Sequence, residues 1–389
     1  MRIGMRIGMR IGLISGEYPP DQGGVGDFTR ELGRALAELG HAVHVITGES
    51  PASSIPSPIT VHRVMEGWGW RCWRRLLALA RRLELDVLNV QYQTAAYGMH
   101  PAINFVPRGR GRPPVVATFH DLKAPYLFPK AGPLRWWVVR TLALRADGVI
   151  VTNHEDARKI SNLESRIPNL ALIPIGSNIS PHLPPGYDRD AWRTRWGIEP
   201  GDLLLGYFGF LNERKGGEDL IETLATLVTR GLPAHLLLVG GRVGSSDPTN
   251  LAYAGRVDRL VAERGLRERV HSTGFVSPEE VSASLAAVDV CVLPYRDGVS
   301  LRHGSLHACL AHGRAIVTTR PAVSTPELRD GENVLLAPPL DVEALADGVA
   351  RLVDDAGLRA RLGSGATALA AEFAWEHIAR QTAALFGRL

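Results

Sequence analysis

Twice along its 389 residues the chain alternates short, mostly apolar runs with stretches of helical periodicity, and this doubled alternation leaves little freedom of fold. The first series places strands at Arg10–Ser15, Ala42–Thr47, Val61–Val64, Val87–Val90, Val115–Phe119, Gly148–Thr152 and Leu172–Pro174. Helices are expected between them at Asp27–Leu39, Arg71–Leu83 and Leu134–Arg145. The runs are apolar at nearly every position rather than every second one, as in strands of a parallel sheet covered by helices on both faces. A polar, proline-bearing connector, residues 176–186, interrupts the series. The alternation then restarts with strands at Leu203–Phe208, His235–Val239, Val270–His271, Asp289–Leu293 and Ile316–Thr319, and helices at Gly217–Thr229, Ala252–Arg264, Pro278–Ala287 and His303–His312. The pattern predicts an α/β chain of two doubly wound parallel-sheet domains, residues 9–182 and 183–372. A last amphipathic helix within 373–389 is expected to cross back to the first domain. Met-Arg-Ile-Gly occurs three times at the start, and only the copy from Met9 runs on into a strand, so residues 1–8 read as an extension.

Composition narrows the class. With 45% hydrophobic and 22% charged residues the chain has enough apolar content for two cores. Its cysteines, Cys72, Cys291 and Cys309, form no C-x-x-C pair, which argues against a disulfide framework or a zinc site and suits a reducing cytoplasm. No apolar run reaches the roughly 18 residues of a membrane span. The net charge of +4 is uneven: residues 1–182 carry 22 Lys and Arg against 14 Asp and Glu, residues 183–389 carry 22 against 26. Much of the basic excess lies in 68–83, where Trp73, Leu76, Leu77, Ala80 and Leu83 share one helical face and Arg71, Arg74, Arg75 and Arg82 the other. Tryptophan beside arginine suits an anionic membrane surface or a lipid-linked acceptor, so a peripheral place at the inner face of a membrane is one expectation. A solvated helix face is the plainer one. No nucleic-acid motif accompanies the charge.

Two loops rich in small residues open helices. Gly23-Gly24-Val25-Gly26 follows the first strand, and Val299–Ser305 precedes the helix expected at His303–His312. Such helix N-termini carry unpaired N–H groups at the positive end of the helix dipole and suit a diphosphate. The G-x-G-x-x-G spacing of a dinucleotide site is absent, which weighs against a dehydrogenase, and no cofactor lysine site of a phosphorylase is identifiable. His120 ends a buried strand, the edge where open α/β sheets place ligands. Lys215 lies in Gly209-Phe210-Leu211-Asn212-Glu213-Arg214-Lys215-Gly216-Gly217, and Gly274-Phe275-Val276 ends another strand.

In this order the motifs resemble those of bacterial family 4 glycosyltransferases, from Met9 to Leu389. The resemblance implies the GT-B fold: two Rossmann-like domains facing across a cleft, the second holding most of a nucleotide-sugar donor and the first a glycan, lipid-linked or small-molecule acceptor. It implies sugar transfer with retention of configuration, with no metal or other cofactor. By the same resemblance His120 and Lys215 are catalytic candidates; Arg302, which adds a guanidinium where the family often has an aromatic, is the third. Gly23, Gly24, Asn212, Arg214, Phe275, Val276, Ser300, His303, Gly304 and Ser305 are the donor-binding ones. The chain departs from the family pattern at three places. Phe210 stands where an arginine is usual, and Ser300 and Ala308 stand where two glutamates are usual. Arg214 and Arg302 are the candidates to replace the missing cation. A non-catalytic GT-B subunit that binds a nucleotide or a partner enzyme is the competing reading.

Overall fold

The computed structural model describes residues 8–21, 23–50, 57–109, 111–122, 133–167, 169–241 and 248–389. The chain divides into two units, one running to Asn178 and including Ala374–Leu389, the other Ile179–Phe373.

In the first unit seven parallel strands, β1 (Arg10–Ser15), β2 (Ala42–Gly48), β3 (Thr60–Met65), β4 (Val87–Tyr92), β5 (Val115–Phe119), β6 (Gly148–Val151) and β7 (Leu170–Leu172), lie in the order β3-β2-β1-β4-β5-β6-β7. The order reverses between β1 and β4, so the loops leaving these two strands part to opposite sides and open a crevice at the carboxyl edge. Helices α1 (Gly24–Glu38), α2 (Cys72–Arg82), α3 (Pro133–Arg145) and α4 (His154–Ile160) connect the strands. The expected stripe on α2 needs one correction: Trp73, Leu76 and Ala80 are buried together with Cys72 and Leu79, whereas Leu77 and Leu83 are only partly covered. On the other side of the sheet, α1 contributes Phe28, Leu32 and Leu36 to one core cluster.

The second unit repeats the plan. After α5 (Arg189–Thr194) come β8 (Leu203–Phe208), α6 (Gly217–Thr229), β9 (Ala234–Val239), α7 (Pro248–Glu263), β10 (Val270–Gly274), α8 (Pro278–Ala287), β11 (Val290–Leu293), α9 (Gly304–Ala311), β12 (Ala315–Thr319), β13 (Leu335–Ala337), α10 (Val342–Asp354) and α11 (Ala356–Glu372). Its six strands run β10-β9-β8-β11-β12-β13, with the reversal between β8 and β11. The final helix, α12 (Trp375–Phe386), belongs to the first unit and places Ile378, Ala379, Ala383 and Phe386 in the same cluster as Phe28 and Leu32.

Shared devices set the register of both sheets. Asp86, just before β4, accepts the Arg10 N–H at 2.7 Å on its carboxylate and donates its own N–H to the Arg10 carbonyl at 2.8 Å. Asp289, just before β11, makes the same pair of bonds with Leu204, both 2.8 Å. These exchanges pin the start of β1 to β4 and of β8 to β11, the strands that flank each reversal. The crevices at the opposite edge therefore rest on fixed walls.

Candidate functional site

In the second unit the loops leaving β8 and β11 meet at the carboxyl edge. Gly209 has φ +115°, and a Cβ there would lie 3.3 Å from the Lys215 ammonium, so glycine makes the room that Lys215 occupies. Asn212 accepts the Lys215 N–H at 3.0 Å and caps the single 3₁₀ turn Glu213–Lys215. Gly216, at φ +69°, passes so near the Pro294 carbonyl that a Cβ would come within 2.0 Å of its oxygen. Arg296 ties the loop down, donating its N–H to the Arg214 carbonyl at 2.8 Å and gripping Asp219 with two bonds of 2.7 and 2.9 Å. Lys215 thus rides on a braced turn. Burial holds its ammonium below the usual lysine range, and among the described residues no carboxylate pairs with it.

The loop from β11 brings a second group of residues to the same place. The Tyr295 ring stacks on His303 at 3.9 Å, and its hydroxyl bonds the Ser305 hydroxyl at 2.7 Å. His303 is the N-cap residue of α9, with no side-chain capping bond and no acid in the first turn. The N–H groups of Leu306 and His307 return to the His303 carbonyl, whereas those of Gly304 and Ser305, one turn earlier, have no helical acceptor. Burial, reinforced by the charges of Arg302 and Lys215, pushes His303 down to about 3, so it is neutral. His307 donates through Nε2 to the Leu301 carbonyl at 2.6 Å and has Nδ1 buried without a partner. Dipole, ammonium and guanidinium therefore converge on a helix end without an acid of its own, an arrangement suited to a polyanion.

Several expected donor contacts are placed differently. Ser300 is only 3% exposed: its N–H donates to His303 Nδ1 at 3.2 Å, and its hydroxyl faces the Arg302 N–H within the same turn, so it braces the loop and does not front the site. Asn212 spends its carbonyl oxygen on capping. Val276 packs against the core of the unit, whereas Phe275 beside it is 83% exposed. Arg214 is exposed, and Arg302 lies 3.9 Å from the Asp297 carboxylate, so part of its charge is already offset.

In the first unit the glycine loop requires a correction. Glu17, two residues past β1, folds its carboxylate onto the start of α1 and accepts the N–H groups of Val25 at 3.0 Å and Gly26 at 3.3 Å. A Cβ on Gly23 would fall 2.1 Å from that carboxylate. The terminus of α1 expected to seat a phosphate is filled by an anion of the chain itself, and Gly23 serves to admit Glu17. Gln22 in the same loop, and residues 123–132 after His120, lie outside the described residues.

His120 is positioned by a buried polar row. Asn89 donates to the Thr118 hydroxyl at 2.9 Å and to the Val116 carbonyl at 3.2 Å, leaving its oxygen to accept from the Gln91 amide. The Gln91 oxygen then faces His120 Nε2 at 2.9 Å. An acceptor at that position requires Nε2 to carry the proton, which makes Nδ1 the acceptor of the ring. Burial pushes His120 down to about 4 against the opposing pull of Asp121, and Phe28 meets its ring edge-on at 4.5 Å. Sequence motifs point to His120 but not to Gln91, whose role depends on the neighbouring strand placing it opposite the imidazole.

A cavity of about 640 Å³ opens at the amino edge of the second sheet, beside Arg189, Asp289, Arg314 and Arg359. Its cations are engaged already, Arg189 with Asp289 at 2.6 Å and Arg314 with three backbone carbonyls. Among the described residues no cluster of His, Cys, Asp and Glu is arranged to hold a metal, and no helix is long and apolar enough to cross a membrane.

The two Rossmann-like sheets, each with one reversal of strand order, are those of the GT-B fold. Residues 22–180 match the family model described as Glycosyltransferase Family 4, and residues 202–355 the model described as Glycosyl transferases group 1. The chain belongs to the GT-B glycosyltransferases and is a transferase enzyme. It is 28% identical over 436 residues to an MMP alpha-(1->4)-mannosyltransferase of Mycolicibacterium hassiacum, covering 96% of this chain and 97% of that one. It is 27% identical over 246 residues to an alpha-D-kanosaminyltransferase of Streptomyces kanamyceticus, where the match takes in 61% of this chain and spans 59% of the relative. In fold it is similar to Anabaena HepE, solved in complex with UDP and glucose, with a TM-score of 0.76, 20% identity, and coverage of 98% of this chain and all of that one.

Proposed function

We propose that this enzyme transfers a sugar from a nucleoside diphosphate donor to an acceptor hydroxyl with retention of configuration, and that it uses no metal. The observation that carries this reading is the α9 terminus, where Lys215 without a carboxylate partner, Arg302 and the N–H groups of Gly304 and Ser305 gather around a neutral His303. A diphosphate there gains charge as the sugar departs, and fixed donors stabilise that charge at no cost of reorganisation. By the family resemblance His120, a neutral imidazole whose Nδ1 is the acceptor of the ring, is the candidate contact to a sugar hydroxyl, and the leaving phosphate takes the acceptor proton. Retention rests on the family resemblance, as does the acceptor role of the first unit.

The acceptor or its setting is proposed to be an anionic lipid surface. Trp70, Trp137 and Trp136 are 68%, 53% and 43% exposed, and Phe105 bridges Trp70 and Trp137 with ring separations of 5.5 and 5.6 Å. Arg71, Arg74 and Arg140 are exposed beside them, and neither α2 nor α3 contains an acidic residue. Aromatic rings at the headgroup level with arginines toward anionic lipid match this patch.

The decisive measurement is a thermal-shift panel with UDP, GDP, ADP and dTDP, then their sugars. One nucleotide is expected to raise the midpoint, and its sugar to turn over. No shift with any of them overturns the donor assignment. Sedimentation with anionic but not neutral vesicles, lost in a Trp70→Ala/Trp137→Ala variant, tests the surface separately.

A further inference from the structure

Strands of a parallel sheet covered by helices are apolar at nearly every position, yet β4 and β5 carry a polar row through the centre of the first sheet. Asn89 and Gln91 on β4 are wholly buried, as is Thr118 on β5. Asn89 lies opposite Val116 and Gln91 opposite Thr118, so the alternate residues share one face, and His120 follows next in the alternation just past β5. Two buried amides cost free energy that valine or leucine would not, unless their polar atoms find partners.

The row has one possible direction. The Val116 carbonyl can only accept, so the Asn89 group facing it at 3.2 Å is the NH2, which also reaches the Thr118 hydroxyl at 2.9 Å. That leaves the Asn89 oxygen for the Gln91 NH2 and turns the Gln91 oxygen toward His120 Nε2, 2.9 Å away. Reversing Gln91 would set its oxygen against that of Asn89, and reversing Asn89 would set an oxygen against the Val116 carbonyl. The orientation that reaches His120 is therefore fixed by a backbone carbonyl three hydrogen bonds away. The backbone beneath the ring is held as well, since the His120 N–H donates to the Tyr92 carbonyl at 3.1 Å.

We propose that Asn89 and Gln91 are positioning residues for sugar transfer, a directional amide relay that starts at the Val116 carbonyl and holds His120 in the tautomer whose lone pair is on Nδ1. This rests on the reading of His120 as the contact to a sugar hydroxyl. A neutral imidazole free to exchange tautomers is protonated on Nδ1 for part of the time, and in that form Nδ1 cannot accept from a hydroxyl. The relay removes that fraction.

The test is NMR of protein labelled with 15N-histidine, His120 being assigned by its loss in His120→Ala, beside steady-state kinetics with the sugar nucleotide that the panel identifies. The wild-type ring is expected in the Nε2–H tautomer alone. Gln91→Leu and Asn89→Leu keep apolar bulk in the row and remove its direction. Both are expected to give mixed tautomers, with kcat lowered about tenfold or more in Gln91→Leu, less in Asn89→Leu, and KM for the donor unchanged. Gln91→Glu keeps an oxygen opposite Nε2 and hence the tautomer. Its charge is expected to raise the pH at which the ring takes up a proton, about 4 in the wild type, by about 1–3 units. Being nearly isosteric, it keeps the test open if a leucine variant fails to fold. A wild-type tautomer in either leucine variant overturns the relay, because any loss of turnover is then structural. An unchanged protonation pH in Gln91→Glu overturns it too. Full turnover in Gln91→Leu beside lost turnover in His120→Ala overturns the relay and leaves the sugar contact standing, whereas full turnover in His120→Ala overturns both.

Discussion

Two helices of this protein begin with small residues at the carboxyl edge of a parallel sheet, and their ends have opposite electrostatic fates. At α1 the Glu17 carboxylate caps the N–H groups of Val25 and Gly26, and the terminus is closed by an internal anion. At α9 no acid stands in the first turn, and the surroundings are Lys215, Arg302 and a histidine held neutral. A helix dipole draws negative charge in both cases. Whether that charge comes from the chain or from a ligand depends on which side chain the fold delivers. The first unit carries a neutral imidazole, His120, at its sheet edge, and the second carries a cationic helix end.

Four measurements break or sharpen this contrast. The largest effect is expected on turnover from His120→Ala: a loss of about a hundredfold in kcat with nucleotide affinity nearly unchanged, since the contact is made with the reacting sugar. Steady-state kinetics beside titration of the same variant decide it. Equal turnover would leave the first unit with no chemical part.

Next is Lys215→Ala, expected to weaken nucleoside diphosphate binding about tenfold or more through loss of a charge-assisted contact. Arg302→Ala should cost less, because Asp297 already draws on that guanidinium at 3.9 Å. Titration calorimetry ranks the two, and a larger loss at Arg302 would make it the main phosphate cation.

The third concerns acid. His303 is held near 3 and His307 near 4 in the folded protein, chiefly by burial, whereas both take up protons near 6.5 once unfolded. The unfolded chain then binds more protons as pH falls below about 6.5, so stability is full above pH 7 and declines toward pH 4. A loss on the order of 2 kcal/mol per histidine by pH 5 is expected. Denaturant melts at pH 7 and 5 read it, and a His307→Gln variant should flatten the slope. An unchanged slope would remove His307 from the cause.

The smallest effect is Glu17→Gln. It should lower stability by about 1 kcal/mol, as loss of charge at a helix N-terminus does, and leave nucleotide affinity unaltered. Tighter nucleotide binding in this variant would show that α1 is a phosphate seat that Glu17 blocks, and the contrast would fail.

Much of the architecture was legible without coordinates. The expected spans Arg10–Ser15, Val115–Phe119, Leu203–Phe208, Gly217–Thr229 and Pro278–Ala287 coincide with β1, β5, β8, α6 and α8. These are buried runs, a helix with a buried apolar face, α6, and a helix with a Ser277–Glu280 capping box, α8, where local signal and packing agree. The sheet edges carry a weaker local signal. β7 lies at Leu170–Leu172, two residues before its expected place, and β13, α10 and α11 were not anticipated. A three-residue edge strand buries too little to leave a pattern, and α11 mixes small apolar and polar residues around its circumference. The start of α1 shows how the two levels interact. Its expected first residue was Asp27, yet the helix begins at Gly24 because the Glu17 carboxylate satisfies the amides of an added turn.

What the sequence determined by itself is the pair of parallel sheets, the glycine-bearing helix starts and the residue types gathered near them, because strand burial and turn chemistry are encoded within a few positions. Only the tertiary structure decided which helix start stays open to an anion, that Ser300 braces a turn while Phe275 faces solvent, and that Gln91 sets the proton on His120. Each of these depends on a partner eight to nearly thirty residues away in sequence, or on whether a side chain ends in the core or in water. Hydrogen bonds and charge interactions act over a few ångströms in space, and the fold alone chooses which residues come that close.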